Sequence, residues 1–191
     1  MRVVDGTPQR KNNWQVDRGA YHLVSQSEMT LDRRPPGDGF RHLLTIQQLR
    51  DFIELLPDWD MVAVGLDAIV LDSGGEDMGW HTSGVVAISA WERDLWWHNC
   101  DPAFNHEHMD ILDRLEVERI RRGDHDEVRW TEAQARAFQL LHVLPHELGH
   151  HHDRMTTRSR KEPSRGEPYA EEYACQVLDA VWDSYIVGFG L

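Results

Sequence analysis

The sequence predicts an α+β fold in which a small, mainly antiparallel sheet is followed by two long helices packed on it. Three observations lead there. Two runs rich in β-branched residues, Met61–Leu71 and Gly84–Ala90, flank the turn-like stretch Ser73-Gly74-Gly75-Glu76-Asp77. Two capping-box patterns, Thr45 with Gln48 and Thr131 with Gln134, each precede apolar residues at helical spacing. A further helix pattern opens after a polar segment, residues 151–166, that Pro163 and Gly166 interrupt.

Taken in order, residues 1–40 are polar and punctuated by Pro and Gly, and read as an irregular arm with one strand near Tyr21–Ser25. Leu49, Phe52, Ile53 and Leu56 form the stripe of a helix over residues 45–56, ended by Pro57. Met61–Leu71 and Gly84–Ala90 follow as strands. Residues 91–104 hold Trp91, Trp96, Trp97, His98, Cys100 and Phe104, a core or cleft wall whose pairing is open. His106–Arg122 reads as a helix with Ile111, Leu112, Leu115 and Ile120 on its apolar side. Thr131–Leu144 is a helix carrying Phe138, Leu141 and Leu144, and Pro145 should bend it or begin a new one. The last helix runs from Glu167 to about Val187, with Pro168 suited to its first position.

The chain has 191 residues, 40% hydrophobic and 28% charged, enough to bury one core, so a single domain over residues 1–191 is expected, with residues 131–187 as its metal-binding core. A net charge of −13 opposes binding to nucleic-acid backbones. The basic stretch Arg154–Arg165 is the local exception and reads as a solvated loop, with a lip that contacts acidic substrate as the alternative. No run approaches the roughly 20 apolar residues that span a bilayer. Cys100 and Cys175 are too few for a disulfide framework, and the opening residues lack an apolar run of signal-peptide length. The expectation is a soluble, cytoplasmic protein acting without nucleic acid or membrane.

The most informative residues are His146-Glu147-Leu148-Gly149-His150. Residues four apart share a helix face, so His146 and His150 can aim two imidazoles at one metal ion. Glu147 stands beside that face, where it can hold a water and take its proton. Zinc suits such a site when three protein ligands leave one position open, and it brings its bound water to a pKa of about 7. The third ligand should come from the next helix. Glu171 is the leading candidate, Glu172 its close competitor, and Glu167 a poorer one because it falls where that helix begins.

HExxH on one helix and a glutamate in an E-x-x-A setting on the next resemble the gluzincin branch of zinc metallopeptidases, especially compact ImmA/IrrE-type members. In that pattern the first Glu of E-x-x-A-[Asp/Asn] is the ligand. The resemblance therefore implies Zn²⁺ held by His146, His150 and Glu171, with Glu147 as catalytic base and Ala174 matching the Ala. It implies a zincin-like fold and hydrolysis of a peptide or protein substrate. Cys175 departs from the pattern, which has Asp or Asn there to orient the first histidine; Asp179 or Asp153 could substitute. Zincins commonly lay an edge strand over the HExxH helix to bind extended peptide, which makes Gly84–Ala90, or the segment just after it, the expected substrate strand. His142, Tyr169, Tyr173 and Tyr185 are candidate oxyanion donors. Two other functions share these residues: a regulatory or binding protein with a structural zinc, and a zinc hydrolase of non-peptide substrates.

Overall fold

A computed structural model, describing residues 2–4, 7–9, 28–157 and 164–191, gives the chain a mixed α+β architecture. Strands β1 (Arg2–Val4), β2 (Thr7–Gln9), β3 (Thr30–Arg33) and β4 (Phe40–Arg41) lead to helices α1 (Ile46–Ile53) and α2 (Trp59–Val62). Next come β5 (Ala68–Asp72), β6 (Gly79–Thr82), β7 (Val85–Ser89), β8 (Trp91–Glu92) and β9 (Trp96–Cys100). Helices α3 (Pro102–Glu107) and α4 (Met109–Arg114) precede β10 (Glu118–Arg122) and β11 (His125–Arg129). The chain then enters α5 (Glu132–Phe138), a π-helical turn (Gln139–Val143), α6 (Leu144–Thr156) and α7 (Glu167–Phe189). No helix of the described residues is long and apolar enough to cross a membrane.

The principal sheet has the order β3-β5-β7-β6. Its β3–β5 and β5–β7 pairs are parallel and only β6–β7 is antiparallel, so the expected mainly antiparallel sheet is corrected to a mixed one. The reason lies in α1 and α2, which carry the chain from β3 back to the start of β5, the crossover that parallel strands need. Every residue of β5 and β7 is buried, as strands covered on both faces should be. Ile69, Leu71, Val86 and Ile88 face the main core with Phe52, Phe138, Leu141 and Leu148, while Ala68, Val70, Val85 and Ala87 form a smaller cluster under Trp80. A second sheet, β10-β11-β9, is antiparallel.

Several elements differ from expectation. Residues 28–40 are not wholly irregular, because β3 is a strand of the principal sheet; the strand expected at Tyr21–Ser25 lies outside the described residues. The run expected as a strand from Met61 begins as the end of α2, and only Ala68–Asp72 is extended. The helix expected over His106–Arg122 stops after Arg114, where Glu116 takes a left-handed φ of 54°. Ile120 then lies on β10, whose hairpin with β11 turns through Gly123-Asp124 and pairs Arg122 with His125. The aromatic stretch resolves into β8, paired with β4, and β9, paired with β11. Trp91 is buried, stacks on Trp97 with centroids 5.2 Å apart, and meets Trp130 edge-on at 5.1 Å.

Both capping boxes form as read, Thr45 with Gln48 and Thr131 with Gln134. Pro145 neither breaks nor sharply ends the helix. The Leu144 N–H bonds the Gln139 carbonyl five residues back, and this wider π turn carries the helix past Pro145, which has no N–H to donate, into α6. Helix α7 extends past Gly188 to Phe189.

Candidate metal centre

Helices α6 and α7 set the site because they cross at very short range. A Cβ built on Gly149 would lie 2.8 Å from the Ala170 Cα and 3.1 Å from its carbonyl oxygen. Only glycine permits that approach, and it brings the first turns of α7 within reach of the HExxH face. On the other side, a Cβ on Gly79 would meet Val143 Cγ1 at 2.8 Å and Glu147 Cγ at 3.0 Å, so the start of β6 rests directly against Glu147.

The histidines behave as a shared helix face requires: the rings of His146 and His150 are 4.9 Å apart between centroids. Glu167 joins both of them. Its Oε2 lies 3.1 Å from His146 Nε2 and its Oε1 lies 3.4 Å from His150 Nε2. Glu171, one turn further along α7, approaches the opposite side of His146, with Oε2 3.3 Å from Nδ1 and 3.8 Å from His142 Nε2. Two compact donor groups result, His146-His150-Glu167 and His142-His146-Glu171, each with its ligand atoms within 4.8 Å of one another. Glu172 is exposed and accepts a hydrogen bond from Gln176, away from both.

This arrangement accounts for the residue pattern in a way the sequence did not suggest. The Glu-x-Tyr-Ala pattern of residues 171–174 has a copy one turn earlier, Glu167-Pro168-Tyr169-Ala170, and it is the glutamate of that copy that reaches both histidines. Glu171 contacts His146 at Nδ1, and Cys175 is exposed on the same helix. The two substitutes considered for Cys175 are engaged elsewhere: Asp179 pairs with Arg114 at 2.6 Å, and Asp153 accepts from the Arg165 side chain at 2.9 Å. Glu167 reads as the weaker candidate in the sequence because it falls where the helix begins, and only the crossing of α6 and α7 brings it to both histidines.

Burial of the His146 ring opposes its protonation. The Glu171 hydrogen bond and the charges of Glu147, Glu167 and Glu171 outweigh that and raise its pKa above the usual imidazole value. The same hydrogen bond holds Glu171 below the ordinary carboxylate range despite its partial burial. At His150 burial wins over the attraction of Glu167 and lowers the pKa. Burial pushes the Glu147 carboxyl up to about 7, against the pull of His146 and reinforced by Glu167 and Asp77. Glu147 lines a cleft of about 270 Å³ together with His142, His146 and the segment Glu76–Gly79. On the other flank of His146, a recess of about 520 Å³ is bounded by Glu107, His108, Glu167 and Glu171.

Other candidates fall into place. His142 is buried behind His146, its ring 6.0 Å away, with burial lowering its pKa to about 4. Tyr185 packs in the core against Phe52 and Phe189, which removes it from the list of oxyanion donors. Tyr169 places its hydroxyl 2.6 Å from His152 Nδ1, and Tyr173 stacks on the same ring. His81, which no sequence signal singled out, comes from β6 to lie over His150 with centroids 6.3 Å apart. Of the two expected substrate segments, Gly84–Ala90 is corrected, because β7 is paired on both sides by β5 and β6 and has no free edge, and the segment just after it forms β8, paired with β4. The edge strand against α6 is β6. Compared with known proteins, the chain matches no family model, no curated protein and no solved structure.

Proposed function

We propose that the protein is a zinc-dependent metallopeptidase of gluzincin type, with the metal held by His146, His150 and Glu167. The observation that carries this reading is the convergence of two imidazole Nε2 atoms and one carboxylate from adjacent helices. Two nitrogens and an oxygen are a donor set that zinc accepts, and they leave a position free for water or substrate. When bound, zinc would polarise the scissile carbonyl and acidify a water.

The protein's own groups supply the rest. Glu171 fixes the His146 ring through Nδ1, so that Nε2 is the nitrogen offered to the metal. Glu147, buried in the cleft beside His146, accepts the proton of the attacking water and passes it to the leaving amine. The outer edge of β6, unpaired among the described residues and lying against α6, would receive the substrate backbone as an added strand.

The decisive experiment measures zinc content and cleavage of a mixed peptide library together. The wild-type chain should bind one zinc and cleave peptides, and chelation should stop it. Glu147→Gln should retain the metal and lose cleavage by at least about 100-fold, the lower end of what a positioned acid-base group contributes. Peptide cleavage at the wild-type rate by the Gln variant would remove Glu147 from the base role.

A further inference from the structure

A hollow of about 320 Å³ adjoins the candidate cleft, and Glu76, Asp77 and Met78 line both. Those residues lead directly into β6, so an extended chain laid along that edge would pass from the HExxH helix to the mouth of the hollow. Its volume is at the small end of ligand pockets, which run about 300–1,000 Å³, and suits one large side chain. The wall is aromatic: Trp91 and Trp97 stack at 5.2 Å, and Phe104 meets Trp97 edge-on at 5.5 Å. Phe40, Met78, Ala90 and Cys100 extend the apolar wall, and the charged groups of the lining are all acidic: Glu76, Asp77, Glu92 and Asp101 are exposed, with no Lys or Arg among the described lining residues. Asp101 caps α3 by accepting from the Ala103 N–H, whereas Glu76, Asp77 and Glu92 form no ion pair with a described residue.

We infer that this hollow binds the side chain of an arginine or lysine in the substrate, an inference that rests on the peptidase reading for its occupant. Aromatic faces attract a cation, and most strongly when it is partly withdrawn from water. The alkyl stem of either residue can lie along the indoles while its charged head reaches the carboxylates. A neutral aliphatic side chain would gain the wall and leave those charges uncompensated. An acidic one would meet four like charges.

The first test uses the metal-free full-length chain and the indole N–H signals of Trp91 and Trp97 in nitrogen-15 NMR spectra. Nα-acetyl-arginine amide should shift both signals and bind about tenfold more tightly than the matching leucine amide, with the glutamate amide weakest. The exposed double variant Glu76→Gln/Glu92→Gln should lose that discrimination. Equal binding of the leucine and arginine probes, or full discrimination retained by the double variant, overturns the inference. A second arm follows cleavage of matched peptides carrying Arg, Leu or Glu by the zinc-loaded protein. Cleavage with no Arg preference and no probe binding sinks the hollow but leaves the peptidase. Probe binding without cleavage of any peptide sinks the peptidase and leaves a cation-binding hollow.

Discussion

Helix α6 carries two polar clusters scarcely a turn apart, and they solve the problem of buried charge in opposite ways. At the His151–Arg154 end each group meets a fixed protein partner. His151, fully buried, places Nε2 3.1 Å from the Val64 carbonyl, and Arg154 donates to the Gly65 carbonyl. Asp153 accepts from the Arg165 and Gly166 backbone N–H groups at 2.7 and 3.0 Å and from the Arg165 guanidinium. At the His146–His150 end, by contrast, Glu147, Glu167 and Glu171 converge on two histidines, with no Lys or Arg among their partners in the described residues. A surplus of negative charge facing imidazole lone pairs is what a divalent cation would compensate. The first cluster builds the fold, and the second is the one proposed to hold a metal.

The largest expected effect tests that division outright. His146→Ala and His150→Ala should each abolish stoichiometric zinc binding while leaving the circular dichroism spectrum of the chain unchanged. Either variant retaining one tightly held zinc per chain would break the comparison, because the HExxH end would then be no more a metal centre than the Asp153 end. Next in size is the contrast within α7. Glu171→Gln should weaken zinc binding by the ~10–100-fold typical of removing a ligand's outer hydrogen-bond partner. Glu167→Gln should weaken it further than that. If isothermal titration finds the Glu171 variant the worse of the two, the ligand is Glu171, as the resemblance to compact gluzincins implied, and Glu167 is the accessory.

The sequence disclosed the HExxH helix, both capping boxes, the buried strand at Val85–Ser89 and the helix opening at Glu167-Pro168, because each has a local signature. What it concealed was set by distant partners. The strand Glu118–Arg122 reads Glu-Arg-Ile-Arg-Arg, a helix-compatible run that becomes extended only through its hairpin with β11. Thr30–Arg33 is too short and polar to announce itself, yet β5 makes it part of the principal sheet. The choice between Glu167 and Glu171 depends on where α7 crosses α6, which Gly149 and Ala170 decide by contact. Helix periodicity turns His151 and His152 off the face that His150 shares with His146, but nothing in the triplet tells that His151 is fully buried under Val64 while His152 meets Tyr169.

A smaller effect is expected at the structural end. Asp153 ties the backbone at residues 165 and 166 to α6, and Gly166 is the residue from which α7 starts, so this carboxylate also fixes where Glu167 stands. Asp153→Ala leaves two backbone donors without their acceptor and should cost about 3 kcal/mol in urea unfolding. Zinc affinity should fall less than in Glu167→Gln, because the ligands themselves remain. A metal affinity reduced as far as in the ligand variants, with unfolding unaltered, would mean that Asp153 belongs to the metal centre and that the two clusters are one.

The last and smallest effect is a difference in acid sensitivity. Burial by itself raises the Asp153 carboxyl, but the hydrogen bonds from the Arg165 side chain and the Gly166 and Arg165 backbone outweigh it, and the net pKa lies below its ordinary 3.8. A group depressed in the folded state stabilises fully above its unfolded value, and that contribution is lost as pH falls through the folded value. The metal-free wild type should therefore lose stability between about pH 4 and lower pH with a slope of up to ~1.4 kcal/mol per pH unit from this group. Asp153→Asn, which cannot titrate, should be less stable at neutral pH and should approach the wild type as the pH drops below 4. Parallel stability curves for the two proteins across that range would show that the clamp does not depend on the charge of Asp153, and the contrast between the ends of α6 would then rest on hydrogen-bond count alone.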